Sequence, residues 1–188
     1  MAEVVFSSWG GKVVDNRPRG EPDAGVGRTQ LVDELPENYL DEGKIAAFMG
    51  WDGVIVLDKD IDVVTMAAEY MQNVQEKYCC AKCTPGKRGT RVMMDTLSRI
   101  LAGHGEESDL DTLSGLADLL DNCKCTLCMT AAKPVLDTVK YFRDDYLAYL
   151  RGERKEKKAK AYHSKLTAPC MDRCPAHIDI PAYVEEIK

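Results

Sequence analysis

The sequence predicts a mainly helical fold, a small four-helix bundle behind an irregular N-terminal arm, and three observations carry that expectation. Apolar residues after position 60 repeat at helical spacing in four stretches. The apolar fraction is 45% but the aromatic fraction only 7%, which suits an aliphatic core of packed helices. Many of the glycines and prolines (Gly10, Gly11, Pro18, Gly20, Pro22, Gly25, Gly27) fall in the first 35 residues, where no periodicity is sustained. The 188 residues suffice for one compact domain with appended segments. We divide them into an irregular docking arm (1–50), a helical domain (51–150), a charged linker (151–164) and a cysteine-containing tail (165–188).

In the arm, residues 4–6 suggest a short strand, and Gly25-Val26-Gly27 lacks the strand, helix and third glycine of a phosphate loop. Gly53-Val54-Ile55-Val56-Leu57 reads as a short buried strand, because β-branched residues stand between Gly and Asp. A first helix starts near Asp60 or Asp62, with Val63, Ala67, Tyr70, Val74 and Tyr78 on one stripe and Met71 beside it. A second opens at Pro85 and turns Val92, Met93, Leu97, Ile100 and Leu101 inward before Gly103 and Gly105 stop it. A third follows a capping box at Ser108 and Asp111, with Leu110, Leu113, Leu116, Leu119 and Leu120 on its face. The fourth opens at Pro134 and carries Val135, Val139, Phe142, Tyr146 and Tyr149. Short links join them, as in a bundle. Residues 151–160 hold six basic and two acidic side chains and read as a solvated linker.

Composition narrows the function. A net charge of −6 lacks the basic footprint of a nucleic-acid binder. No apolar run reaches the roughly 18 residues of a membrane span, and the N-terminus has no signal-peptide pattern. These features point to a cytoplasmic chain without membrane insertion. Disulfides are rare in that compartment, so eight cysteines call for another role. They form three groups: Cys79, Cys80, Cys83; Cys123, Cys125, Cys128; and Cys170, Cys174. Two Cys-x-x-Cys turns, Cys80 to Cys83 and Cys125 to Cys128, meet at one bundle end if the helices between them pair antiparallel. Four thiolates there suit a closed tetrahedral zinc site or an iron–sulfur cluster. Lys82, Lys87, Arg88 and Lys124 flank the thiols and would favour an anionic cluster. None of His104, His163 and His177 stands in a recognisable Cys–His motif.

The order Gly53-Val54-Ile55-Val56-Leu57-Asp58, helix, then Cys80-Ala81-Lys82-Cys83-Thr84-Pro85-Gly86-Lys87-Arg88-Gly89-Thr90 resembles the C-terminal cluster-binding domain of the NADH-binding flavoprotein subunit of complex I. Flavin subunits of hydrogenases and formate dehydrogenases share that pattern, S-C-G-x-C-T-P-C-R-x-G-T. Leu127-Cys128 through Pro134-Val135, and Phe142-Arg143-Asp144-Asp145-Tyr146, continue the resemblance over about residues 50–150. It implies a [4Fe–4S] cluster on Cys80, Cys83 and Cys128. The family's third ligand cysteine is replaced around Gly86-Lys87-Arg88, and Cys125 is our expected replacement, with Cys79 and Cys123 as lesser candidates and a three-cysteine cluster with another fourth ligand as the alternative. The family's FMN- and NADH-binding glycine-rich loops have no counterpart in the first 50 residues, so we expect no FMN or NAD site in this chain.

Pro169-Cys170 through Cys174-Pro175 and Ile178-Asp179-Ile180-Pro181 is similar to the ferredoxin-like domain of the glutamate synthase small subunit and of dihydropyrimidine dehydrogenase. Cys170 and Cys174 are therefore candidate ligands of a second iron–sulfur cluster, shared with a partner or with a longer polypeptide. The resulting expectation is an electron-relay component of a multisubunit, flavin-dependent NAD(P)H oxidoreductase, whose partners are flavin- or iron–sulfur-containing subunits. It would be non-catalytic, because the sequence shows no dinucleotide loop or acid–base pair. The alternative is a zinc-stapled structural or adaptor protein.

Overall fold

The computed structural model describes residues 4–17, 46–50, 53–124, 126–153, 162–165, 176 and 178. Within them a five-stranded sheet packs against a mainly helical body. The strands are β1 (Phe6–Trp9), β2 (Lys12–Asp15), β3 (Ala47–Gly50), β4 (Gly53–Val56) and β5 (Tyr162–Lys165), in the order β2-β1-β4-β3-β5. Neighbours run antiparallel except β3 and β5, which are parallel.

The expected strand near residue 53 is present as β4, and all four of its residues are buried. The expectation of an irregular arm is corrected for residues 4–17, which form a hairpin. Its turn residues Gly10 and Gly11 both take positive φ (59° and 81°), as a two-residue turn matched to strand twist requires. The strand expected at 4–6 lies at Phe6–Trp9 instead. It pairs Phe6 with Val56 and Trp9 with Gly53, so the hairpin shares a sheet with the strand that precedes the helices. Gly53 permits the pairing: a Cβ there would lie 1.7 Å from the Ser8 carbonyl oxygen. Residues 18–45, including Gly25-Val26-Gly27, lie outside the described residues.

The helical body contains α1 (Val63–Asn73), α2 (Thr84–Leu101), α3 (Glu107–Asp121), α4 (Thr126–Ala131), α5 (Lys133–Tyr141) and α6 (Arg143–Leu150). Asp62 caps α1 by accepting hydrogen bonds from the Val64 and Thr65 amides, each at 3.1 Å. A π-helical turn, Val74–Tyr78, carries α1 on to Cys79. The capping box of α3 lies two residues before the expected one: Asp109 Oδ2 accepts the Glu106 amide at 2.9 Å, and Arg99 pairs with the same carboxylate. The helix expected over 134–149 breaks at Phe142 into α5 and α6, and α4 was not expected. Phe142 leaves helical geometry (φ −117°, ψ 30°) with its ring edge-on to Phe6 at 4.9 Å and under the Arg17 guanidinium at 4.1 Å. A tertiary contact with the hairpin thus overrides the local helical pattern.

One core joins β1, β3 and β4 to the inner faces of the helices, with Cys83, Cys123 and Cys128 at one end. Val4, Phe48 and Ile55 make a smaller cluster, flanked by Trp9 and Leu57. Three expected core residues are exposed instead: Tyr78, Val92 and Leu119. Val92 and Leu119 each precede a buried stripe residue, Met93 and Leu120, and so sit about 100° around their helices. The wider π turn rotates Tyr78 off the α1 stripe.

Candidate metal centre

The centre is assembled from the end of α1, the start of α2, the end of α3 and the body of α4. At the π turn the Cys79 amide donates to the Val74 carbonyl at 2.8 Å, which fixes the position of Cys79 against the helix end. Ala81 follows at φ 54°, a left-handed conformation unusual for a residue with a Cβ, so the loop reverses sharply between Cys80 and Cys83. Cys83 is the extended N-cap residue of α2, its carbonyl accepting from the Lys87 amide at 3.0 Å. Pro85 stands in the first turn of α2, as expected from its missing amide hydrogen.

Gly86, in that same turn, forms the floor. A Cβ on Gly86 would lie 2.9 Å from Cys83 Sγ, 3.2 Å from Cys128 Sγ and 3.5 Å from Cys123 Sγ. Cys128 Sγ is also 3.8 Å from Cys79 Sγ, so three sulfurs gather over one glycine and a fourth adjoins them. Thr90, one turn along α2, donates to the Gly86 carbonyl at 2.6 Å and has its hydroxyl 3.7 Å from Cys79 Sγ. Gly89 lets α3 close over this end, since a Cβ there would meet Leu120 Cδ2 at 2.8 Å.

Cys83, Cys123 and Cys128 are buried, Cys79 is half-buried and Cys80 is exposed. Of the four expected ligands, the cradle therefore contains Cys83 and Cys128. Cys80 is at the surface beside it, and Cys125 lies outside the described residues. Cys79 and Cys123, the lesser candidates by spacing, contribute the other two sulfurs. The signal for them is the side-chain-free position itself: Gly86 opens a space that a cysteine from a neighbouring element can fill. Cys170 and Cys174 lie outside the described residues, as do His177 and most of the C-terminal segment they belong to. His104 is exposed.

The electrostatics favour thiolate. Hydrogen bonds from the Lys124 and Gly86 amides, with the Cys123 side chain and the Lys124 charge, hold the Cys83 thiol below its ordinary pKa against the opposing effect of burial. Among the described residues, no three His, Cys, Asp or Glu side chains close around a single-ion position. An all-sulfur donor set, backbone amides aimed at sulfur and a floor free of side chain fit an iron–sulfur cluster.

Residues 65–149 match the family described as the NADH-ubiquinone oxidoreductase-F iron-sulfur binding region. The whole chain is 57% identical over 188 residues to the NADPH-Fe(3+) oxidoreductase subunit beta of Geobacter sulfurreducens, of which it covers 27%. It is 36% identical over 225 aligned residues to the NADP(+)-dependent formate dehydrogenase subunit beta of Moorella thermoacetica, covering 30% of that protein. Over 183 residues, 95% of this chain, it is 29% identical to an NADP-reducing hydrogenase subunit of Solidesulfovibrio fructosivorans, covering 33% of it. The chain thus spans about a third or less of the length of these curated relatives.

Proposed function

We propose that this chain, whose residues 65–149 match the family described as the NADH-ubiquinone oxidoreductase-F iron-sulfur binding region, is the electron-relay portion of a multisubunit, flavin-dependent NAD(P)H oxidoreductase. The observation that carries the reading is the convergence of the Cys83, Cys123 and Cys128 sulfurs on Gly86, with Cys79 Sγ 3.8 Å from that of Cys128. A [4Fe–4S] cluster held there supplies one-electron carriage. Cys79, Cys83, Cys123 and Cys128 would be its ligands. Lys124 and Gly86 would direct their amides at the Cys83 sulfur, and Thr90 would brace the floor.

Packing of α1 on α2, α2 on α3, α3 on α5 and α5 back on α1 supports a four-membered bundle that keeps water from the sulfurs. Among the described residues no helix is long and apolar enough to cross a membrane. A reducing, cytoplasmic setting belongs to the proposal, because thiols this close remain available only where disulfide formation is suppressed. Flavin- or iron–sulfur-containing subunits are the proposed partners. Cys170 and Cys174 are the proposed start of a second cluster site.

The ligand set is tested by anaerobic purification and reconstitution of four single variants. Cys79→Ser and Cys123→Ser should lose most of the iron, acid-labile sulfide and reduced-state EPR signal, whereas Cys80→Ser and Cys125→Ser should retain them. The reverse result would assign the cluster to the Cys-x-x-Cys pairs read from the sequence. Colourless protein holding stoichiometric zinc would overturn the relay itself.

A further inference from the structure

Two segments that supply the sulfurs are basic within an acidic chain. Between positions 77 and 94 stand Lys77, Lys82, Lys87, Arg88 and Arg91, and no aspartate or glutamate occurs in that stretch. Residues 122–136 add Lys124 and Lys133, again without an acidic residue. The nearest acids in sequence, Glu76, Asp95, Asp121 and Asp137, stand just outside these segments, and Asp95 pairs with Arg91 at 3.1 Å. Lys82, Lys87 and Arg88 are exposed, and among the described residues no ion pair is formed by any of them. Lys124 differs, because its charge acts on the Cys83 sulfur.

The exposed apolar residues lie in the same elements. Among the described residues five large hydrophobic side chains are exposed, and four of them are Tyr78, Val92, Leu119 and Met129. Tyr78 adjoins Cys79, and Met129 adjoins Cys128. Val92 lies one helical turn beyond Arg88 on the same face of α2. Leu119 reaches α2 at Gly89, its Cδ2 3.5 Å from where a Cβ would stand. Tyr78, Val92 and Leu119 are the residues whose periodicity promised a buried position. Exposed apolar side chains in the same segments as Lys82, Lys87 and Arg88 give the composition of a protein-binding surface rather than of a simple solvated face.

We propose that this patch, formed by Lys82, Lys87 and Arg88 with Tyr78, Val92 and Met129, docks an acidic electron-carrying protein or subunit over the sulfur cradle. The charge that attracts the partner is carried by the loop before α2 and by its first turns, next to Cys79 and Cys83, so the docked pose brings the two redox centres close. The inference rests on the relay reading and names the class of its partner.

The experiment uses the full chain, anaerobically reconstituted, with a small acidic plant-type ferredoxin as probe. Association should weaken at least about tenfold between about 20 mM and 200 mM salt, as screened charge pairing requires. The double reversal Lys87→Glu/Arg88→Glu should weaken it by about tenfold or more at low salt, while Lys59→Glu, at the opposite end of α1, changes it less than about twofold. Iron, sulfide and EPR spectrum should be unchanged in the double variant. An unchanged affinity with a shifted potential would overturn the proposal and make these residues modulators of the cluster. Absence of binding at low salt would overturn it too, as would equal competition by a single-stranded oligonucleotide. Protein that binds the probe but holds no iron or sulfide would sink the relay reading while leaving the patch standing, so the two failures are distinguishable.

Discussion

Gly86 decides more about the centre than any cysteine does. Its backbone is helical, so alanine there is conformationally welcome and would add about 1 kcal/mol of helix propensity to α2. The added methyl, however, would press on Cys83 Sγ at 2.9 Å and crowd Cys128 and Cys123. Gly86→Ala should therefore leave the apo protein at least as resistant to heat and lower the iron and sulfide bound after reconstitution several-fold. Calorimetry of the apo form beside iron analysis separates the two effects; normal iron content in the variant would mean that the floor does not shape the site. At this scale the sequence was partly informative. Cys83 and Cys128 follow from motif spacing, because each is tied to its own helix start or turn. The placement of Cys79 and Cys123 in the cradle depends on what fills the space beside a glycine, and spacing along one element does not encode that.

Among the elements, helices were legible wherever one apolar stripe stayed on one core. The bodies of α1, α2 and α3 follow their leucine, methionine and β-branched repeats. The departures sit where a non-local partner intervenes. Phe142 is drawn to Phe6 and Arg17 of the hairpin, and the long terminal helix divides there. The start of α1 is also tied across the chain: the Tyr149 hydroxyl donates to Asp62, and Thr65 Oγ1 donates to the same carboxylate oxygen at 2.9 Å. Asp62→Ala would remove the cap of α1 and leave the half-buried Tyr149 hydroxyl without this acceptor. Loss of the cap alone costs about 1–2 kcal/mol, and loss of a hydrogen bond to a charged group adds about 1.5 kcal/mol or more. Chemical denaturation should register a loss of about 2.5–3.5 kcal/mol. Tyr149→Phe should reproduce only the smaller share. A change below about 0.5 kcal/mol in Asp62→Ala would show that the cap is dispensable.

For the molecule as a whole, the sheet was the least legible part, for an identifiable reason. β1 is only four residues long and buries Ser7 and Ser8, so it lacks the alternation of a half-exposed strand and the apolar run of a central one. Its neighbour β4 lies some fifty residues away in sequence, and such pairing is visible only in three dimensions. Ser8 nevertheless links the sheet to the helices, its hydroxyl donating to Asp137 Oδ2 on α5 at 2.6 Å. Burial raises the Asp137 pKa above its ordinary 3.8, with the Ser8 hydrogen bond and the charges of Lys133 and Lys140 opposing the shift. The sign of the linkage follows. A carboxyl whose folded pKa is raised binds its proton more tightly in the folded state, so its contribution to stability declines as pH rises from the unfolded value through the folded one. Asp137→Asn keeps an acceptor for Ser8 and abolishes the titration. The Tm of the variant relative to the parent should therefore climb as pH increases from about 3.8, then level off once the carboxylate is fully ionised in the folded state. Thermal melts of both proteins across pH 3 to 8 read this directly. A difference that is flat, or that falls as pH rises, would mean that the Ser8 and lysine interactions outweigh burial and that the joint between sheet and helices is stabilised by the charged form.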